Sequence, residues 1–164
     1  MIPRDRLHHG PGDGWVDCAC GQRHWGLLGA AGLLVVRRVA GVPTAVLLQH
    51  RAAWSDQGGT WALPGGARQP GETAADAALR EAHEEAGVAA EAVGIRGEHV
   101  LAHPDWSYTT VLADELVHIE PVVTDAESVE VRWVPIADVT TLPLHPAFAD
   151  AWPPLLARLS GGAS

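Results

Sequence analysis

Apolar and polar positions alternate along the chain with two different periods. Gly29–Arg38, GAAGLLVVRR, is apolar up to Val36 and then charged, which predicts a buried strand. Gly41-Val42-Pro43 is a turn signal, and Thr44–Arg51, TAVLLQHR, reads as the strand that returns beside it. Ala52–Thr60 is a polar, glycine-containing loop that leads into WALPGG, Trp61–Gly66. The period then changes. From Thr73 to Ala86 the residues are mostly Ala, Leu, Arg and Glu, which predicts a helix. Thr73 can cap it with Asp76 three residues on, and Gly87 ends it. Short β-like runs follow at Val93–Ile95, Glu98–Ala102, Tyr108–Leu112, Glu115–Ile119 and Val129–Pro135. A last helix is predicted over Pro146–Leu159, with a break or kink at Pro153-Pro154. Strands, helix, strands, helix is the order of an α/β fold, a mixed sheet covered by helices.

The first helix carries the candidate chemistry. At about 100° per residue, Ala75, Ala78, Leu79, Ala82 and Ala86 form one stripe, small enough for close approach to a sheet. Glu81, Glu84 and Glu85 fall on a neighbouring arc, at i, i+3 and i+4, where like charges repel unless a cation compensates. The alternative for such acids is a solvated face of an ordinary amphipathic helix. Oxygen donors without sulfur or imidazole favour a hard ion, Mg2+ or Mn2+. The Leu-Pro-Gly-Gly turn brings backbone close to the helix, where a carbonyl can add a neutral oxygen ligand. Arg80 is expected to point away from Glu84 and to pair with Glu72, pinning the loop to the helix.

Composition narrows the ligand. At 164 residues the chain supports one domain with a substantial core. Eleven arginines, no lysine and 20 acids give a formal charge of −9, unlike a binder of polymeric nucleic acid, which needs a basic face. An anionic ligand would need positive charge from elsewhere, and a divalent metal supplies it. No apolar run reaches the roughly 18 residues that cross a bilayer; the longest, Gly26–Val36, stops at Arg37-Arg38. The first 14 residues are polar, Gly/Pro-rich and expected to be loose, with no apolar core of a secretory leader, so a cytoplasmic location is expected. Cys18, Cys20 and His24 offer three ligands of a structural Zn2+ site whose fourth would come from His8, His9 or elsewhere; the competing reading is two reduced thiols on a surface hairpin.

Gly66, five residues, Glu72, seven residues and then Arg-Glu-Ala-His-Glu-Glu-Ala-Gly-Val resembles the signature of the Nudix hydrolases, G-x5-E-x7-R-E-U-x-E-E-x-G-U with U bulky and apolar. Every fixed residue is present: Gly66, Glu72, Arg80, Glu81, Glu84, Glu85 and Gly87. Ala82 is smaller than the aliphatic residue usual at its position. LLQHR and WALPGG before the box and EVRWVP (Glu130–Pro135) after it are similar to the family as well.

The resemblance implies an α/β/α sandwich with a mixed central sheet over residues 29–160, preceded by an extension over 1–28. It implies hydrolysis of a nucleoside diphosphate linked to another group, with a small-molecule nucleotide as partner. Metal ligation by the Gly65 carbonyl, Glu81, Glu84 and Glu85 comes with it, and Glu81 or a later Glu serves as general base. A further acid often precedes the strand containing the Trp-Val pair. Glu127 is the first choice, Glu130 and Glu115 the alternatives. Arg51 and Arg68 are candidates to grip a phosphate, against surface arginines. Trp54, Trp61 and Trp106 are candidates to stack on a base, Tyr108 a weaker one, and Trp133 is read as structural. His145 stands where MutT-like members place a base-reading Asn. Pro104 matches a position frequent in ADP-ribose-cleaving members. The first reading is a nucleoside triphosphate, canonical or oxidised. The alternatives are ADP-ribose or another nucleotide sugar, and a nucleotide-binding module without turnover. Many relatives form homodimers, which the resemblance carries as one expectation.

Overall fold

The computed structural model describes residues 10–55, 57–124 and 128–161. Two strands, β1 (Trp15–Asp17) and β2 (Arg23–Trp25), form a small antiparallel hairpin. The main sheet contains β3 (Ala30–Val39), β4 (Val42–Arg51), β5 (Trp61–Ala62), β6 (Gly65–Ala67), β7 (Val93–Ala102), β8 (Ser107–Glu115) and β9 (Ser128–Pro135). Its order is β5-β4-β3-β8-β7, with β6 paired to β3 and β9 to β4. The sheet is mixed, because β3 runs parallel to β8 and antiparallel to β4.

Alternation along the central strands builds two cores. Ala31, Leu33 and Val35 of β3, with Leu47, Val111, Ala113 and Val131, face helix α1 (Ala74–Ala86). Leu34, Val36, Val46, Leu48, Leu112 and Val134 face helix α2 (Pro146–Ser160) through Phe148, Trp152, Leu155 and Leu159. Ala30 through Val36 are all buried, since helices cover both faces, which explains the continuous apolar run. The result is the expected α/β/α sandwich.

Several expectations need correction. The α1 residues that reach the sheet are Ala74, Ala77, Ala78, Ala82 and Ala86, whereas Ala75 and Leu79 are half-buried. The packed face is turned so far that Glu85 lies within it. Val93–Ile95 and Glu98–Ala102 are one strand joined across a bulge between Ile95 and Gly97. The run Glu115–Ile119 ends as a strand at Glu115, because Arg37 holds that carboxylate with two hydrogen bonds of 2.7 and 2.8 Å and the Ile119 N–H folds back to it. Helix α2 passes through Pro153-Pro154 without a break. Trp152, Leu155 and Leu159 on its inner face hold it against the sheet through the two residues that lack donors. Residues 10–14 are not loose: Leu27 N donates to the Gly12 carbonyl, Gly26 N to the Gly14 carbonyl, and Gly12 N to Gln69 Oε1.

Candidate functional site

The site begins where β3 lays its glycine against the loop. Gly32 pairs with Gly65 and Ala31 with Gly66, so β6 runs along β3 immediately before the loop into α1. At the far end of that loop Thr73 and Asp76 form a capping box, each side chain bonded to the other's backbone N–H. Gly87 closes the helix at φ 69°, in the left-handed region. Gly66 has a reason of its own: a Cβ there would lie 2.7 Å from Glu81 Cδ, so only glycine lets the Glu81 carboxylate lie against the loop.

Arg80 ties the unit together. Its Nε and Nη2 donate to the two Glu72 oxygens at 2.8 and 2.9 Å, and Nη2 also reaches the Ala67 carbonyl at 3.0 Å. This is the expected pairing, and the loop is pinned to the helix by it. The expectation that Arg80 points away from Glu84 is overturned. Its Nη1 donates to Glu81 Oε1 at 2.8 Å and to Glu84 Oε2 at 3.3 Å. The planar guanidinium presents five donors, enough to span Glu72 on one edge and two further carboxylates on the other. Glu85, buried, accepts the Gly65 N–H at 2.8 Å.

The electrostatics follow from that crowding. The Arg80 guanidinium, bonded to it on both oxygens, holds the Glu72 carboxyl below the usual carboxylate range. Burial drives Glu81 the other way, to about 7, with Glu84 and Asp13 adding repulsion and Arg80 opposing it. The Tyr108 hydroxyl is raised by burial and then by Glu85, while Arg51 acts in the opposite direction. Tyr108 Oη also lies 3.0 Å from where a Gly65 Cβ would stand. Tyr108, Arg51, Glu81 and Glu85 therefore surround one region.

The candidates from the sequence fall into groups. Gly65, Gly66, Glu72, Arg80, Glu81, Glu84, Glu85 and Gly87 form one loop-and-helix unit. Arg51 ends β4 beside that unit. Arg68 donates through Nη2 to the Glu72 carbonyl, and its buried Nε has no hydrogen-bond partner among the described residues. It lines a cleft of about 560 Å3 with Thr73, Glu98, Ser107 and Thr109. Trp54 is exposed in its loop. Trp106 is tied to the N-terminal hairpin, its indole stacking on His24 at 4.3 Å and donating to the Trp25 carbonyl, while its ring lies 6.2 Å from that of Tyr108. Trp61 is buried and stacks on His50 in the α2 core. Trp133 bonds the Ile119 carbonyl under the Arg37 guanidinium, a structural position. Glu127 lies outside the described residues. Glu115 is removed as an alternative ligand, since it is committed to Arg37 and lies five strand positions beyond Thr110, the residue paired with Gly32, about 16 Å along β8. Glu130 is exposed and faces Arg132 at 3.6 Å. Asp13 escaped the sequence reading. It accepts from Gln69 Nε2 at 2.9 Å and acts on Glu81. No local periodicity marks it; only the fold carries residues 10–14 to the box.

Among the described residues, the one group of three His, Cys, Asp or Glu ligand atoms within 4.8 Å of one another is Cys18, Cys20 and His24. The three helix glutamates spread wider because Arg80 takes Glu81 and Glu84 while the Gly65 N–H takes Glu85. The donor chemistry still fits a hard divalent cation: oxygen only, four carboxylates counting Glu72, and one guanidinium among them. No helix among the described residues is long and apolar enough to cross a membrane.

A NUDIX domain family model matches residues 27–156. A nucleoside triphosphate pyrophosphatase/Nudix hydrolase fusion protein of Bifidobacterium longum is 50% identical over 163 residues, 97% of this chain and 34% of that protein, so the chain spans about a third of its length. A Mycobacterium tuberculosis protein with the provisional name 8-oxo-dGTP diphosphatase 3 is 51% identical over 152 residues, covering 87% of this chain and 68% of that one. Among solved structures, the Nudix hydrolase RenU of M. smegmatis superposes with a TM-score of 0.83 at 48% identity, over 92% of this chain and 96% of that one. A C. elegans Ap4A hydrolase in a binary complex superposes at 0.66 with 25% identity, over 81% and 99%. With most of the chain under one family model and the box residues packed as a single loop-and-helix unit, the chain belongs to the Nudix hydrolase family.

Proposed function

We propose that the chain is a Mg2+-dependent pyrophosphohydrolase that cleaves the phosphoanhydride of nucleoside triphosphates, canonical or oxidised. The observation that carries this reading is the complete box folded around one arginine, with Glu81, Glu84 and Glu85 all within one stretch of α1. The provisional name of the M. tuberculosis relative, an 8-oxo-dGTP diphosphatase, points to the same substrate class.

Glu81, Glu84 and Glu85, the Gly65 carbonyl and Glu127 would hold Mg2+, or Mn2+ in its place. Bound there, the ion neutralises diphosphate charge and lowers the pKa of water. The chain's own residues do the rest. Arg80 fixes Glu72, and with it the loop, against α1. Glu81 or a later Glu would accept a proton from the attacking water. Arg51, at the end of β4, grips a phosphate, and Trp54 offers an exposed ring to the base.

The full chain, incubated with Mg2+ and a panel of dNTPs, 8-oxo-dGTP, ADP-ribose and dinucleoside polyphosphates, should release pyrophosphate from the triphosphates. Preferred release of AMP from ADP-ribose would replace this reading with the nucleotide-sugar one, and no turnover of any diphosphate would leave a binding module. Glu84→Gln should reduce kcat roughly 100-fold or more, with the far-UV spectrum and melting unchanged.

A further inference from the structure

The hairpin ahead of the Nudix unit holds a second constellation that the pyrophosphohydrolase reading does not use. β1 and β2 bring Asp17 opposite Arg23 and Val16 opposite His24. The intervening turn is closed by Cys18 N–H to the Gln22 carbonyl and Gly21 N–H to the Cys18 carbonyl, both at 3.0 Å. This fold-back places Cys18 Sγ, Cys20 Sγ and a His24 ring nitrogen within 4.8 Å of one another, and Cys20 Sγ stands 3.2 Å from His24 Nε2. Ligands around a tetrahedral Zn2+ lie roughly 3.5–3.8 Å apart, given bonds of about 2.3 Å to sulfur and about 2.0 Å to nitrogen. The three atoms thus need only small side-chain adjustments to share one ion.

A second element faces the hairpin. The turn between β7 and β8 brings the His103 ring to 4.5 Å from that of His24 and lets Asp105 accept the Ala19 N–H at 2.8 Å. The backbone N–H groups of Cys20 and Asp105 face the Cys18 sulfur, the arrangement that supports a thiolate ligand. Trp106, the other ring contact of His24, stacks on it at 4.3 Å and ties the same turn to β2.

We propose that Cys18, Cys20 and His24 bind one structural Zn2+, with His103 closing the fourth position, so that the ion fastens the N-terminal hairpin to the β7–β8 turn. Two thiols give up their protons on binding, and two thiolates with two neutral imidazoles around a dication make an uncharged centre. The site is separate from the glutamates of α1 in donor chemistry as well as in place. Sulfur and imidazole select zinc, while carboxylates select magnesium. Its neighbour Gly12–Gly14 is bonded to residues 26 and 27, so a fixed hairpin also steadies the segment that carries Asp13.

The test uses the full chain purified under reducing conditions, with metal content measured and Co2+ as a spectroscopic probe. One zinc per chain is expected. Co2+ should give intense visible d–d bands of a tetrahedral site and a thiolate charge-transfer band, both bleached by Zn2+ and insensitive to excess Mg2+. The box holds no sulfur, so this band reports the hairpin alone. Cys20→Ser, a change at an exposed residue, should cut the charge-transfer intensity by half or more and weaken zinc binding at least 100-fold, and His103→Ala should weaken it 10-fold or more. Zinc should raise the melting temperature of the wild type and leave that of Cys20→Ser unmoved. Absence of the charge-transfer band in the wild type, its undiminished intensity in Cys18→Ser and Cys20→Ser, or full reactivity of both thiols toward a thiol reagent in saturating zinc would overturn the assignment. Unchanged affinity in His103→Ala would overturn the fourth ligand.

Discussion

Gly66 shows how one residue's missing side chain shapes a site. The space a Cβ would take is filled by the Glu81 carboxylate, 2.7 Å away. Gly66→Ala should therefore displace Glu81 and cut kcat about 100-fold, while thermal stability falls little, since the flexible carboxylate can swing aside; activity within twofold of wild type would show that Glu81 is not held where the chemistry needs it. At this scale the sequence was informative about identity and poor about direction. The box named Glu72, Glu81, Glu84 and Glu85, yet Arg80 was expected to turn from Glu84 and instead reaches both Glu81 and Glu84. A helical wheel gives the arc of a Cβ. It does not give the reach of a guanidinium on three methylenes, which can serve partners on either side of its own position.

Between residues and the whole stand the elements. Helix α1 was legible because its signals are local: the capping box at Thr73, the small residues of its packed face, and Gly87 in the left-handed region. Removing the first of these should have a local price in stability. Thr73→Ala should cost about 1 kcal/mol and lower the melting temperature by about 3 °C, with Thr73→Ser restoring both; a drop below 0.5 °C would mean the cap adds nothing to the packed helix. The span of α2 was read to within one residue, but its unbroken passage through Pro153-Pro154 was not, and the end of β8 was misjudged. Glu115 still pairs with Val93, but Arg37 and the Ile119 N–H hold its carboxylate where the chain leaves the sheet, and packing against the sheet carries α2 across its two prolines. Both causes need partners outside the element they govern.

At the scale of the molecule, charge and fold meet in Glu81. Its carboxyl, normally near 4.5, is raised to about 7 by burial, so between those values the folded protein holds a proton that the unfolded chain has released. In metal-free protein this contribution to stability is fully present below about pH 4.5 and is lost as pH rises through 7, amounting to up to about 3 kcal/mol. Denaturant unfolding in a chelator should show that decline, and Glu81→Gln should flatten it. Because a ligating carboxylate must be ionised, stabilisation by Mg2+ should grow over the same window; a flat wild-type profile would remove the buried-acid account. The strand-helix order and the box fixed the fold class and the family in advance, since both are written in local periodicity and spacing. Asp13 acting on Glu81, Trp106 stacked on His24 of the cysteine hairpin, and the Glu115 carboxylate held by Arg37 were decided only by tertiary structure. These are contacts between segments tens of residues apart, and nothing in a window of sequence records which distant backbone will fold across it.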